Sequence, residues 1–121
     1  MNKKILVVDD DDLVLTAIKE LLSPLGFVVT TSRSGAEALE NLARDPFNLI
    51  ILDVIMPEMD GFEVCQKIRQ MDSYTGIPIM MLTARGGEED KQREAEVGAN
   101  LYLPKPIAPK RLISLVEEAT K

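Results

Sequence analysis

Two acidic positions in this sequence stand where chemistry is possible. Asp53 follows the apolar run Leu49–Leu52 directly and opens the stretch V-I-M-P-E-M-D-G, while Asp9, Asp10, Asp11 and Asp12 follow a second run, Ile5–Val8. A hydroxyl, Thr83, closes the run Ile79–Leu82, and Lys105 follows Leu101–Leu103 within Y-L-P-K-P. Short apolar runs of this kind suit strands buried on both faces of a parallel sheet, and in open α/β sheets ligands bind at the carboxyl ends of the strands. The carboxylates of Asp9, Asp10 and Asp53, the Thr83 hydroxyl and the Lys105 ammonium would then converge on one edge. Three carboxylates together repel unless a cation joins them, and hard oxygen donors suit Mg²⁺. Such a site can hold a phosphoryl group: Asp53 is the nucleophile, Lys105 and the metal neutralise phosphoryl oxygens, and Thr83 donates a hydrogen bond.

Each residue also has a plainer reading. Acids are common in turns, and Asp11 and Asp12 suit the start of a helix, where the dipole favours anions. Thr83 can simply end a strand, Lys105 can be a solvated loop lysine, and Tyr102 can pack an edge strand. The plain readings explain the residues singly but not their convergence at one edge.

The elements that must position these groups alternate regularly. The first helix is predicted over Leu13–Leu22, with an apolar band (Leu13, Val14, Leu15, Ala17, Ile18, Leu21, Leu22) wider than one buried face requires. Phe27–Thr31 reads as a β-branched strand. Ser34 with Glu37 forms a capping-box pattern for a second helix, with Ala36, Leu39, Leu42 and Ala43 facing inward. A third helix over Gly61–Met71 presents Phe62, Cys65, Ile68 and Met71 at helical spacing. Gly86 and Gly87 permit backbone motion before the most polar helix, over 88–97, which Gly98 ends. The last helix starts near Pro109 and packs through Leu112, Leu115, Val116 and Ala119. Five strands alternating with five helices imply an α/β, doubly wound parallel sheet, and Pro104, lacking a ladder donor, puts the fifth strand at its edge.

With 121 residues, residues 1–121 are expected to form a single domain. The formal charge of −6 argues against direct nonspecific binding to nucleic acid. No apolar run approaches the ~20 residues of a membrane span, and the four apolar residues after Lys4 are too few for a signal peptide, so a cytoplasmic protein is expected. The lone Cys65 lies on the helical stripe of Phe62 and Ile68 and reads as a buried, inert thiol.

Four motifs in order, V-V-D-D (Val7–Asp10), L-D-V-I-M-P-E-M-D-G (Leu52–Gly61), L-T-A (Leu82–Ala84) and Y-L-P-K-P (Tyr102–Pro106), make the whole chain resemble a receiver domain of the two-component response regulators. The resemblance implies a flavodoxin-like fold with strand order 2-1-3-4-5 and a phosphorylation-dependent switch. By resemblance Asp53 is the phosphoacceptor, Asp10 a direct Mg²⁺ ligand, Asp9 a ligand through water, and the Ile55 backbone carbonyl a further ligand. Thr83 and Lys105 become the phosphoryl-sensing pair and Tyr102 the switch residue. The implied partners are a sensor histidine kinase or histidine phosphotransfer protein, and an effector on the face of the fourth helix, fifth strand and fifth helix. The chain would catalyse only its own phosphoryl transfer and slow self-dephosphorylation. Ile55 and Arg85 occupy variable positions flanking the phosphoryl group, and apolar Ile55 implies a long-lived phosphoaspartate. Val14 and its neighbours, with Ile107, suit either a dock for a phosphohistidine helix pair or core packing. The Lys105–Pro106 bond is expected to be cis, and no output domain is expected after Lys121. Two rival readings are a haloacid-dehalogenase-like phosphatase, which needs a second acid cluster late in the chain, and an unphosphorylated interaction scaffold.

Overall fold

Runs of aliphatic residues flanked by acids, glycines and prolines define the strands, and alternate residues along each strand face opposite sides of the sheet. A computed structural model describes residues 2–83 and 98–121. Strands β1 (Lys4–Val8), β2 (Val28–Ser32), β3 (Leu49–Asp53), β4 (Ile79–Thr83) and β5 (Leu101–Pro104) pair in parallel in the order β2-β1-β3-β4-β5. β3 and β4 are buried along their whole length, as expected of central strands covered on both faces. The described residues contain four α-helices: α1 (Asp12–Leu22), α2 (Gly35–Arg44), α3 (Gly61–Arg69) and the C-terminal helix (Pro109–Ala119). The predicted helix over 88–97, the Gly86–Gly87 loop and Arg85 lie outside the described residues.

The sheet separates two cores. Leu6, Val8, Ile50, Leu52 and Met81 pack with Ala38, Leu42, Phe62, Cys65 and Ile68 of α2 and α3. Ile5, Val7, Ile51, Met80 and Leu82 pack with Leu15, Ile18 and Leu22 of α1 and with Leu112 and Val116 of the C-terminal helix. Cys65 is buried as expected, and burial pushes its thiol up to about 11 against the opposing charge of Arg69.

The helix ends follow their caps. Asp11 caps α1 by accepting from the Leu13 N–H, Ser34 caps α2 through the Glu37 N–H, and Asp60 caps α3 through the Glu63 N–H. The return arm of the Ser34–Glu37 pair differs from a full capping box, because the Glu37 carboxylate accepts from the Arg33 N–H instead of the cap residue. The inward face of α2 also differs. Ala38 and Leu42 are buried and Leu39 partly so, whereas Ala36 and Ala43 are exposed. The phase of α2 is set by Gly35, where an added Cβ would lie 2.6 Å from Val64 Cγ2 and 3.0 Å from Met59 Sδ; with 35, 38 and 42 turned inward, 36 and 43 face solvent.

At the amino-end rim of the sheet, Arg69 ties two connections together, the one between α3 and β4 and the one that leads into β5. Its guanidinium donates to the carbonyls of Tyr74 (3.1 Å), Thr75 (3.3 Å), Ile77 (2.6 Å) and Gly98 (2.7 Å), and to Asn100 Oδ1 (2.7 Å). Asn100 Oδ1 in turn accepts from the Ile79 N–H at 2.9 Å, which starts β4 in register. Replacing Arg69 by Met leaves several carbonyls without a donor and should lower stability by about 2–4 kcal/mol. Arg69→Lys should recover little, because one ammonium cannot span these acceptors. Urea unfolding midpoints of the two variants against the parent check this, and a Lys variant as stable as the parent would contradict it.

Candidate functional site

Pairing of Val8 with Ser32 and Leu52 carries β1 to its end beside β2 and β3, so that Asp9 emerges next to the end of β3. Asp9 is fully buried. Its Oδ1 accepts from the Asp11 N–H at 2.9 Å, its Oδ2 meets Lys105 Nζ at 2.9 Å, and its own N–H donates to the Ser32 carbonyl at 3.1 Å. Asp10 is exposed. The four consecutive acids thus take different roles. Asp9 and Asp10 face the edge, Asp11 caps α1, and Asp12, in the first turn of α1, pairs with Arg33.

Asp53 ends β3 and is 4% exposed. Its Oδ1 lies 3.3 Å from Lys105 Nζ and accepts from the Ile55 N–H at 3.4 Å. Oxygen atoms of Asp9, Asp10 and Asp53 lie within 4.8 Å of one another. Burial, and then the charge of Asp9, raise the Asp53 carboxyl from 3.8 to about 6, against the opposing pull of Lys105. Burial of Lys105 favours its neutral form, but the hydrogen bond to Asp9 and the charges of Asp53 and Asp9 outweigh this and hold its pKa above the ordinary lysine value.

Lys105 is aimed by the residues around it. Pro104 ends β5 opposite Thr83, the Lys105 N–H donates to the Thr83 carbonyl at 2.6 Å, and the Lys105–Pro106 peptide is cis, as expected. Thr83 is 1% exposed and its Oγ1 has no hydrogen-bond partner among the described residues. A buried hydroxyl left without a partner is costly, so it suits a ligand oxygen that arrives later. Ile55 is 67% exposed beside the acids, and Tyr102 on β5 is also exposed. Val14 and Ile107 are only partly buried and pack against the core on the α1 side, whereas Leu13 is 80% exposed and is the apolar side chain of α1 that solvent sees most.

Two features of the β3–α3 connection could not be read beforehand. Gly61, expected at the start of the third helix, lies so close to the end of β3 that an added Cβ would fall 2.2 Å from the Asp53 carbonyl oxygen, and its N–H donates to the Val54 carbonyl at 2.8 Å. Glu58 adopts φ +68°, a left-handed conformation that a glutamate side chain rarely takes. The D-G spacing was the only sequence signal for the first, and nothing in the sequence signalled the second.

The donor set fits a hard divalent cation. It consists of carboxylate oxygens, two of its residues are buried, and one ammonium serves both Asp9 and Asp53, so negative charge remains in excess. The folded state binds the Asp53 proton more tightly than the unfolded state, so without metal this group's contribution to stability falls as pH rises from about 4 to 6. Asp53→Asn should therefore be the more stable protein above pH 6 in chelated buffer, by on the order of 1–3 kcal/mol. The advantage should vanish by pH 4. Urea unfolding of both proteins across this range checks the sign, and a pH-independent difference would contradict it.

A family model described as a response regulator receiver domain matches residues 5–117. The alkaline phosphatase synthesis transcriptional regulatory protein PhoP of Bacillus subtilis is 42% identical over 117 residues, covering 97% of this chain and 48% of that protein. An uncharacterized 14.6 kDa protein of Leptolyngbya boryana is 41% identical over 114 residues, covering 94% of this chain and 87% of that protein. Among solved structures, the chemotaxis protein CheY4 of Vibrio cholerae matches with a TM-score of 0.95 at 35% identity, covering 98% of this chain and 99% of that one. The chain spans about half the length of PhoP and of the similar transcriptional regulators. No helix among the described residues is long and apolar enough to cross a membrane.

Proposed function

The chain belongs to the response regulator receiver domain family, and on that premise we propose that it is a phosphorylation-dependent switch in two-component signalling that accepts a phosphoryl group on Asp53. The observation that carries this reading is the meeting, at one edge, of a buried carboxylate, an ammonium 3.3 Å from it and a buried hydroxyl with no partner among the described residues. With a carboxyl near 6, Asp53 is mostly ionised at neutral pH and can act as nucleophile. One of its oxygens attacks the phosphorus of a phosphohistidine on a sensor kinase or phosphotransfer protein; the O–P bond forms as the P–N bond breaks, and the electron pair leaves on the imidazole nitrogen. Lys105 then pairs with a phosphoryl oxygen, and the Thr83 hydroxyl donates to another. Mg²⁺, when held by Asp9, Asp10, Asp53 and the Ile55 carbonyl, supplies the positive charge that the phosphoryl oxygens need.

On the partner side, the acids around the site and the exposed Leu13 and Ile55 favour a donor surface that is both basic and apolar. Output is assigned to the face of β5, with Tyr102 and the C-terminal helix, where Thr83 drawn toward the phosphoryl group would let Tyr102 turn inward. We read residues 1–121 as one receiver domain working in the cytoplasm, with Arg85 a second modulating position in addition to Ile55.

Acetyl phosphate with Mg²⁺ should label the parent protein and not Asp53→Asn. Retained label distinguishes the switch from a phosphatase, which would turn over, and from a scaffold, which would take none. Asp10→Ala should remove most of the rise in melting temperature that millimolar Mg²⁺ gives the parent, and a melting temperature indifferent to Mg²⁺ would count against the cluster.

The exposed Ile55 cannot hold a water by hydrogen bonding for in-line attack on the phosphoaspartate, so Ile55→Asn should speed its hydrolysis. The decay of labelled protein after donor removal, in excess Mg²⁺, gives the comparison. Unchanged or slower decay in the variant would place control of the attacking water elsewhere.

A further inference from the structure

We propose that Asn41 and Ser32 are positioning residues for the acidic site, an inference that rests on the functional reading above. Ser32 is the last residue of β2 and is fully buried, although β2 is an edge strand with only β1 beside it. A buried hydroxyl needs a partner, and Asn41 of α2 supplies one: its Nδ2 donates to Ser32 Oγ at 2.7 Å. The amide is oriented by Arg44, whose Nη2 donates to Asn41 Oδ1 at 3.1 Å, so its NH₂ group turns toward Ser32. The Ser32 carbonyl accepts the Asp9 N–H at 3.1 Å, immediately beyond the last register pair of β1 and β2.

The connection therefore runs from α2 through the end of β2 to the backbone of Asp9, and the Asp9 carboxylate is fixed in turn by the Asp11 N–H and Lys105. Neither side chain is itself a ligand of the site; Ser32 reaches Asp9 through its backbone carbonyl, and Asn41 acts through Ser32. Their effect is on where Asp9 and Asp10 start, and hence on how well the carboxylates converge without reorganising. Groups that orient ligands in this way commonly change metal affinity by about tenfold when removed. Loss of packing alone would lower stability and leave that affinity alone.

The test titrates Mg²⁺ into unphosphorylated parent, Asn41→Ala, Ser32→Ala, the double variant and the packing control Leu42→Ala, following backbone amide chemical shifts. Hydrogen exchange of the Asp9 amide is measured on the same samples. Asn41→Ala and Ser32→Ala should each raise the half-saturating Mg²⁺ concentration by about tenfold and speed Asp9 exchange, with the double variant no worse than either single one. Leu42→Ala should lose stability and keep the parent's Mg²⁺ midpoint. An Asn41→Ala midpoint equal to the parent's, or a Leu42→Ala midpoint shifted as far as that of Asn41→Ala, overturns the positioning role. A parent that does not respond to Mg²⁺ at all overturns the functional reading and this proposal with it, a result distinct from a responsive parent matched by its Asn41 variant.

Discussion

Carboxylates whose oxygens lie within 4.8 Å of one another repel strongly where water is excluded, and Asp9 and Asp53 are both buried at the carboxyl edge of the sheet. Lys105 is the counter-charge, at 2.9 Å from one and 3.3 Å from the other. Much of the surrounding structure serves to keep that ammonium and those acids in place. β5 must sit at the sheet edge beside β4 for Lys105 to follow Pro104 toward the site, and Gly61 must lack a side chain for α3 to start against the end of β3. Burial, and then the charge of Asp9, raise the Asp53 carboxyl, and the ammonium offsets only part of this. A site left short of positive charge is prepared for ligands that bring their own.

The sheet and its order could be read from the sequence because burial on both faces leaves an unbroken aliphatic run, and such runs are hard to produce otherwise. Helix starts were equally readable: Ser34 caps α2 and Pro109 is the first residue of the C-terminal helix. The inward face of α2 was misread because Ala36 and Ala43 are small enough to suit either side, and the contact that sets the phase, Gly35 against Val64, joins residues far apart in sequence. For the same reason Arg69 and Asn41 had no role beforehand. An arginine or asparagine on a helix surface gives no sign of which distant carbonyl or hydroxyl it will meet. The carboxylates, Thr83 and Lys105 were recognisable because each follows a strand directly, so the topology itself brings them together. The finer division among Asp9 to Asp12 needed the helix start, which gave Asp11 to the cap and Asp12 to Arg33.

The site borders both cores without belonging to either. Leu52, next to Asp53, packs on the α2–α3 side, while Leu82, next to Thr83, packs on the α1 side. Groups that act together are thereby supported from opposite layers, and the sheet is the rigid plate between them. Ser32 and Asn41 extend this support to β2, an edge strand of the sheet. Exposure of Ile55 and Leu13 near the buried Asp9 and Asp53 leaves the rim of the site open to a partner while its floor is buried.

The guanidinium of Arg69 meets backbone oxygens from the Tyr74–Ile77 turn and from Gly98, so the reach of a single side chain fixes the distance between connections that are otherwise independent. Loop length is ordinarily the most freely varied property of a fold, because insertions at exposed tips disturb little. Here an added residue in either turn would draw its carbonyl away from a fork that cannot lengthen to follow it. An insertion is thus expected to cost most at the rim around Arg69 and least in connections that no side chain spans in this way. The exposed turn around Ser23 to Gly26, which follows α1 and leads into β2, is such a place.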